Sequence, residues 1–348
     1  MLVNRLTTML QPDVPTKIPS LDGLRAVSIL AVLAGHVVVT YNFPYSFGQF
    51  HHLGNIGVRC FFIISGFLIT TLLFREFDRH GQISIARFYA RRSLRILPAF
   101  LVFIFAIYLA QQFGWIKLND GDLLHALTFT MNYHHDRTWY LNHLWSLSVE
   151  EQFYLLWPGL IMLFGPKKSG SFAILAVLFA PVCRWYMWHH GTGISAMTRE
   201  FQAVADALAT GCLLAIYYNV LTRMPFYMRL LASSYFPVLP LAGLLISVAF
   251  GTSAYYVWGQ SLANISIALA IDWTIRRPTT NIGRLLNSKP FVWIGMLSYS
   301  LYLWQEPFLN PDINVWVTAY PQNLALTLIT ATISYWLVER PFLRLKPQ

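Results

Sequence analysis

Apolar windows long enough to cross about 30 Å of hydrocarbon, a task that takes roughly 17 to 25 helical residues, recur along this chain. They fall at 21–40, 56–74, 96–113, 144–165, 170–188, 200–219, 234–250, 255–275, 291–309 and 322–338. With 56% of its 348 residues hydrophobic and only 11% charged, the chain is too apolar for a soluble domain. The predicted fold is all-α: a polytopic membrane protein with about ten transmembrane helices.

Lysine and arginine are retained in cytoplasmic loops, so their distribution predicts the orientation. With the N-terminus inside, the inner segments hold nineteen of them, including Arg5, Lys17, Arg87, Arg91, Arg92, Arg95, Lys167, Lys168, Arg276 and Lys346. The outer segments hold three, Lys117, Arg137 and Arg199, and Arg25, Arg59 and Arg184 lie within spans. Both termini are therefore expected in the cytoplasm, with residues 1–20 as a cytoplasmic segment and 21–345 as the membrane domain. The net charge of +10 is then a topology signal, reinforced by attraction to anionic membrane lipids, and it calls for no nucleic acid. The polar, Pro-containing first twenty residues do not read as a cleaved signal peptide. Cys60, Cys183 and Cys212 lie within spans without ligand spacing and read as packing residues.

Ionisable groups inside spans are functional candidates by default. Arg25 and His36 share one face of the first span, about three turns and 16 Å apart. The fourth span opens Trp145-Ser146-Leu147-Ser148-Val149-Glu150-Glu151-Gln152. Glu150 lies about 9 Å, and His36 about 6 Å, from the outer end of its helix, where a histidine and a carboxylate can act as a base and its orienting partner. The structural alternative is an ion pair, such as Glu151 with Arg184 or Arg59. Glu151 and two further intramembrane acids, Asp206 and Glu306, are substrate-path candidates; for the latter two, pairing with Arg184 or Arg199 is the structural alternative. Ser65 and Gly66 either admit a close-packed neighbour or open a substrate path.

Arg87, Arg91 and Arg95 recur every four residues, with Arg92 beside them. Such a stripe suits lipid headgroups or a phosphorylated cofactor. The outer segment 114–143 carries Asp120, Asp122, His125, His134, His135, Asp136 and His143 without a metal-ligand frame; no metal is expected, and the segment reads as a polar loop facing a polar acceptor. Trp145, Trp157, Trp188, Trp293 and Trp304 read as interfacial anchors.

From Ser20 to Leu345 the ordered motifs resemble the acyltransferase-3 family of integral-membrane O-acyltransferases. They are Leu21-Asp22-Gly23-Leu24-Arg25-Ala26 with His36; Gly57-Val58 through Phe61-Phe62 to Ser65-Gly66-Phe67-Leu68-Ile69; and Phe88-Tyr89-Ala90-Arg91-Arg92-Ser93-Leu94-Arg95-Ile96-Leu97-Pro98. Trp145 to Tyr154, Ser298-Tyr299-Ser300-Leu301-Tyr302-Leu303-Trp304 and Glu339-Arg340-Pro341 complete the series. The resemblance implies transfer of an acyl group, commonly acetyl, from cytoplasmic acyl-CoA to a hydroxyl of an extracytoplasmic acceptor, often a bacterial surface polysaccharide or lipid-linked glycan. The location it implies is the bacterial inner membrane. It implies His36 as the essential histidine, Glu150 as the acidic residue, and Arg25, Arg92 and Arg95 as the basic residues that bind the donor.

Two departures stand out. Gln305-Glu306 replaces a histidine that many relatives carry, so that Glu306 is a candidate substitute. The extracytoplasmic hydrolase-like domain that many relatives append is not expected here, which leaves acceptor selection to the membrane domain or to a partner protein. Two other functions compete: acylation of a secreted secondary metabolite, and transport of a polar solute. Transport explains buried charge equally well but favours inverted repeats, and no internal repeat is evident.

Overall fold

In a computed structural model the described residues are 18–44, 52–249 and 251–345. Arg5, Lys17 and Lys346, which contribute to the charge bias, and most of the N-terminal segment lie outside them. Among the described residues every regular element is helical. A chain surrounded by hydrocarbon must satisfy its backbone polar groups internally, and a helix does so within one segment.

The long helices are α1 (Pro19–Val37), α2 (His52–His80) and α3 (Ile85–Gln112). The segment that follows α3 carries short helices α4 (Asp122–Leu127) and α5 (Trp139–Asn142). Helix α6 (Leu144–His189) spans the fourth and fifth apolar windows in one element, broken where Gly165 takes φ 78° ahead of Pro166. Glycine tolerates this left-handed backbone and proline cannot continue the preceding hydrogen-bond ladder, so the boundary between the two windows survives as a kink.

Next come α7 (Ile194–Arg199), α8 (Phe201–Thr222), α9 (Pro225–Ala232) and α10 (Val238–Ala249). Then α11 (Gln260–Arg276), α12 (Asn281–Leu286), α13 (Lys289–Phe308), α14 (Gln322–Ser334) and α15 (Arg340–Arg344) complete the chain. Widened π turns at Tyr255–Gly259 and Tyr335–Glu339 lead into α11 and α15.

Among the described residues five helical stretches are long and apolar enough to cross a membrane: Ser20–Val37, Leu53–His80, Ile85–Gln112, Trp139–His189 and Ile194–Thr222. Helix α10, predicted as a full span, has only 12 residues, about 18 Å of rise.

The chain divides into two compact units. The first draws on Met1–Leu24, Arg59–Ile83 and Val149–Ser288. Its centre is the crossing of α2 and α8, where a Cβ on Gly66 would collide with the Leu208 carbonyl and one on Gly211 with the Ile63 carbonyl. Each glycine admits the other helix's backbone, the small-residue packing that replaces hydrophobic drive in a membrane. Around the crossing Ile63, Ile64, Phe67, Leu73, Leu208 and Cys212 are buried. Trp157, predicted as an interfacial anchor, is 2% exposed and donates from Nε1 to Thr70 Oγ1 at 2.9 Å, a core role that its indole N–H makes specific.

The second unit draws on Arg25–Val58, Ser84–Ser148 and Lys289–Gln348. Here α13 and α14 pack side by side, and the end of α1 is tied to the start of α14. Asn323 Nδ2 donates to Thr40 Oγ1 at 3.0 Å, and Tyr320 N donates to Tyr41 O at 2.9 Å. Two motifs distant in sequence meet where Ser300 Oγ donates to the buried Glu339 carboxylate at 2.9 Å, while Tyr299 donates to Ile96 O on α3 at 2.9 Å. Trp145, a second predicted anchor, is also buried.

Candidate active site

In the second unit the chemistry gathers around His36, near the end of α1. The imidazole is half-buried, and its Nδ1 lies 3.1 Å from Gln305 Oε1 on α13. Trp139, at the start of α5, sets its ring at 68° to the imidazole with centroids 5.5 Å apart. That indole is itself fixed, since its Nε1 donates to the Glu306 carbonyl at 3.1 Å. The Gln305 contact and the indole together fix the orientation of the imidazole, the side chain whose ordinary pKa lies closest to neutrality.

The Glu306 side chain is fully buried. Its carboxylate accepts from the His143 backbone N–H at 2.8 Å, lies 2.8 Å from His143 Nδ1, and accepts from Asn142 Nδ2 at 3.3 Å. The arginine partner predicted for Glu306 is therefore replaced by a histidine. Spacing alone could not reveal this, because 163 residues separate the pair in sequence. His143 is 2% exposed and is braced by Phe103 and Tyr302 at ring separations of 5.4 Å each. It belongs to the interior, not to the polar loop in which the sequence reading places it.

That loop also turns one acid inward, while Asp120, His135 and Asp136 stay exposed. Asp122 is fully buried and accepts from Asn119 N at 3.0 Å and Thr138 Oγ1 at 2.6 Å, with His134 Nε2 3.1 Å away. His134 stacks on His125 at 4.5 Å. These ties order the loop with its own side chains.

Glu150 lies in the first unit, where its carboxylate accepts from Ser65 Oγ at 2.6 Å. Glu151 is half-buried on the same turn. Of the two substrate-path candidates on α2, Ser65 is thus engaged by Glu150, and Gly66 faces the Leu208 backbone.

The same unit holds an ionic cluster. Arg184, fully buried, donates to Asp206 Oδ2 at 3.0 Å, Ser261 Oγ at 2.6 Å and Val257 O at 3.0 Å, and also to Ala203 O. Asp206 also takes the Ser261 hydroxyl at 2.7 Å and faces Arg59 at 3.9 Å. Arg59 donates to Asn264 Oδ1 at 2.9 Å and to Gln260 Oε1. The pairing of Asp206 with Arg184 anticipated from the sequence is present, and Asp206 takes both cations proposed for Glu151.

A further buried acid escaped the sequence reading. Asp272 near the end of α11 accepts from Tyr227 Oη at 2.6 Å and Arg276 Nε at 2.8 Å. Burial, and then the Asp272 carboxylate, hold the Tyr227 hydroxyl well above the ordinary phenol range. Its signal in the sequence was a lone aspartate four residues before an arginine, a helical ion-pair spacing.

The basic candidates sit in the second unit. Arg25 lies half-buried on α1. On α3, capped by Ser84 accepting from Arg87 N at 3.4 Å, Arg87 is exposed and Arg91, Arg92 and Arg95 are half-buried. Each of these arginines thus retains some solvent exposure.

Long apolar helices with an imidazole and a row of guanidinium groups among them are the features of a multi-pass membrane protein. The family described as an acyltransferase domain matches residues 18–339, and the chain belongs to this acyltransferase-3 family. Among curated proteins it is 29% identical to the peptidoglycan O-acetyltransferase OatA of Listeria monocytogenes, over 93% of this chain and 55% of that protein. It is 28% identical to YrhL of Bacillus subtilis, provisionally named a peptidoglycan O-acetyltransferase, over 93% of this chain and 54% of that protein. The chain thus spans about half the length of the curated relatives it matches. No solved structure matches it.

Proposed function

We propose that this chain transfers an acetyl group from cytoplasmic acetyl-CoA to a hydroxyl of a bacterial cell-wall glycan. The observation that carries this reading is His36 with Nδ1 against Gln305 and its ring set by Trp139, in a chain of an acyltransferase family. His36 Nε2 removes the proton from the acceptor hydroxyl as its oxygen attacks the thioester carbonyl. The tetrahedral intermediate collapses with loss of the coenzyme thiolate, and the imidazolium returns the proton to that sulfur. The products are the O-acetylated glycan and free coenzyme A. A transient acyl-histidine would give the same products.

Arg25, Arg92 and Arg95 bind the donor's phosphates, where planar guanidinium forks suit paired oxygens. Glu150, carrying the Ser65 hydrogen bond, is the reaction's acidic candidate. Peptidoglycan is favoured as acceptor by the names of OatA and YrhL. The charge bias supports ten spans with cytoplasmic termini in the bacterial inner membrane. Reporter fusions after Gly81, Lys168 and Pro278 should then read as inside, and those after Asn119 and Pro311 as outside.

The deciding experiment is mass spectrometry of cell-wall glycans from deletion and complemented strains. Loss and return of one acetyl mass on one sugar supports the reading; an unchanged glycan profile refutes it.

A further inference from the structure

We propose that Gln305 is the positioning residue of His36: its side-chain carbonyl accepts the ring's Nδ1–H, which leaves the lone pair on Nε2. This deepens the acyl-transfer reading and rests on it for its catalytic meaning, while the contact itself can be tested without turnover.

Three observations converge. First, the amide presents its oxygen to the ring at 3.1 Å, and a carbonyl oxygen can only accept, so the ring nitrogen facing it carries the proton. Neutral imidazole in water prefers the proton on Nε2. Holding it on Nδ1 therefore requires a fixed acceptor, and which nitrogen serves as base is set by the bond the other makes.

Second, the amide has little else to do. Gln305 is fully buried, and its Nε2 has no hydrogen-bond partner. An amide buried with its N–H groups unsatisfied destabilises the fold relative to an apolar side chain of equal volume. Folding alone would favour methionine here, so the contact with His36 is what the glutamine contributes.

Third, the adjacent carboxylate is engaged elsewhere. Glu306 is held by the His143 backbone N–H, by His143 Nδ1 and by Asn142, and its backbone carbonyl anchors Trp139, whose ring edges the imidazole. One turn of α13 thus fixes the imidazole twice, through the Gln305 amide and through the indole. When Nε2 takes the hydroxyl proton, Nδ1–H keeps its bond to Gln305, so the imidazolium stays aimed until it protonates the departing thiolate.

The test uses the full chain in lipid nanodiscs with ¹⁵N-histidine, His36 being assigned by the signal lost in His36→Ala. The expected neutral ring carries its proton on Nδ1, and Gln305→Met, of similar volume but with no acceptor oxygen, moves the population to Nε2–H. With acetyl-CoA and a peptidoglycan oligosaccharide, Gln305→Met should lower kcat about 10- to 100-fold, the scale seen when a partner that sets a ring's orientation is lost. The KM for acetyl-CoA should stay unchanged. Gln305→Glu, which keeps an acceptor oxygen, should restore the Nδ1–H tautomer.

A purely structural glutamine predicts the reverse order, with methionine tolerated and a buried carboxylate disruptive. A wild-type ring protonated on Nε2, or a tautomer unmoved by Gln305→Met, overturns the proposal. The expected tautomer shift in a protein that transfers no acetyl group would support the Gln305 contact and sink the acyl-transfer reading alone.

Discussion

Two buried polar clusters, one in each unit, show different uses of ionisable groups in an apolar chain. Around Asp206 charge is met by charge: the Arg184 guanidinium meets a carboxylate, a hydroxyl and two backbone carbonyls, and Arg59 is taken by two side-chain amides. Around His36 the ties run to Gln305 on α13 and to the Trp139 indole on α5. Glu306 is satisfied by His143 and Asn142, whereas His36 is held on Nδ1 by a neutral amide. A charge inside a span therefore does not by itself mark chemistry. The first cluster pairs its charges and ties helices together; the second orients a half-buried imidazole, the group proposed as the base.

The strongest way to break this contrast is His36→Ala. Loss of a general base should lower kcat roughly 10²- to 10⁴-fold with little change in the KM for acetyl-CoA, and thermal unfolding in detergent should stay close to that of the wild type. Near-normal turnover in a folded His36→Ala protein would remove the basis for calling the second cluster catalytic.

Asp206→Ala should act the other way. It leaves two buried guanidinium groups facing each other, and removing one partner of a buried pair destabilises by about 3–5 kcal/mol, visible as a lower unfolding temperature and poorer yield. Arg184→Met combined with Asp206→Leu should be milder, because only Arg59 then remains buried without its carboxylate. A stable Asp206→Ala protein that has lost turnover would instead make Asp206 part of the site.

A smaller effect is expected at the glycine crossing of the first unit. Gly66→Ala forces a Cβ against the Leu208 carbonyl and should destabilise by about 1–3 kcal/mol, the usual range for overpacking. Gly211→Ala strains the same crossing, so the double variant should be less than additive. Unchanged stability in both would return Gly66 to the list of substrate-path residues.

The smallest change belongs to the basic row. Arg95→Lys keeps the charge and loses the fork, so the KM for acetyl-CoA should rise several-fold, on the order of 1 kcal/mol, with kcat unaltered. An unmoved KM in Arg95→Lys, and in Arg92→Ala as well, would assign this stripe to lipid headgroups.

Much of this was legible in the residues. Long apolar windows specify helices because a lipid-facing backbone has no other local way to satisfy its hydrogen bonds, and His36, Glu150 and Asp206 were conspicuous because ionisable groups are rare in such windows. The separate windows 144–165 and 170–188 already placed a boundary where α6 breaks at Gly165. The pairings were not legible. His36 meets Gln305 across 269 residues of chain, His143 meets Glu306 across 163, and Glu150 takes Ser65 across 85. Composition and period report which face of a helix is apolar, but not which other helix that face meets.

The sequence by itself therefore determined an all-helical membrane chain, its family motifs and the few ionisable residues within its apolar stretches. These are properties of local hydropathy, charge and order along the chain. Only the tertiary structure decided that a neutral amide holds His36, that Glu306 belongs to His143, and that Asp206 is bound up with Arg184 and Arg59. Those choices depend on distances of about 3 Å between helices remote in sequence, where hydrogen-bond strength falls steeply with separation and angle.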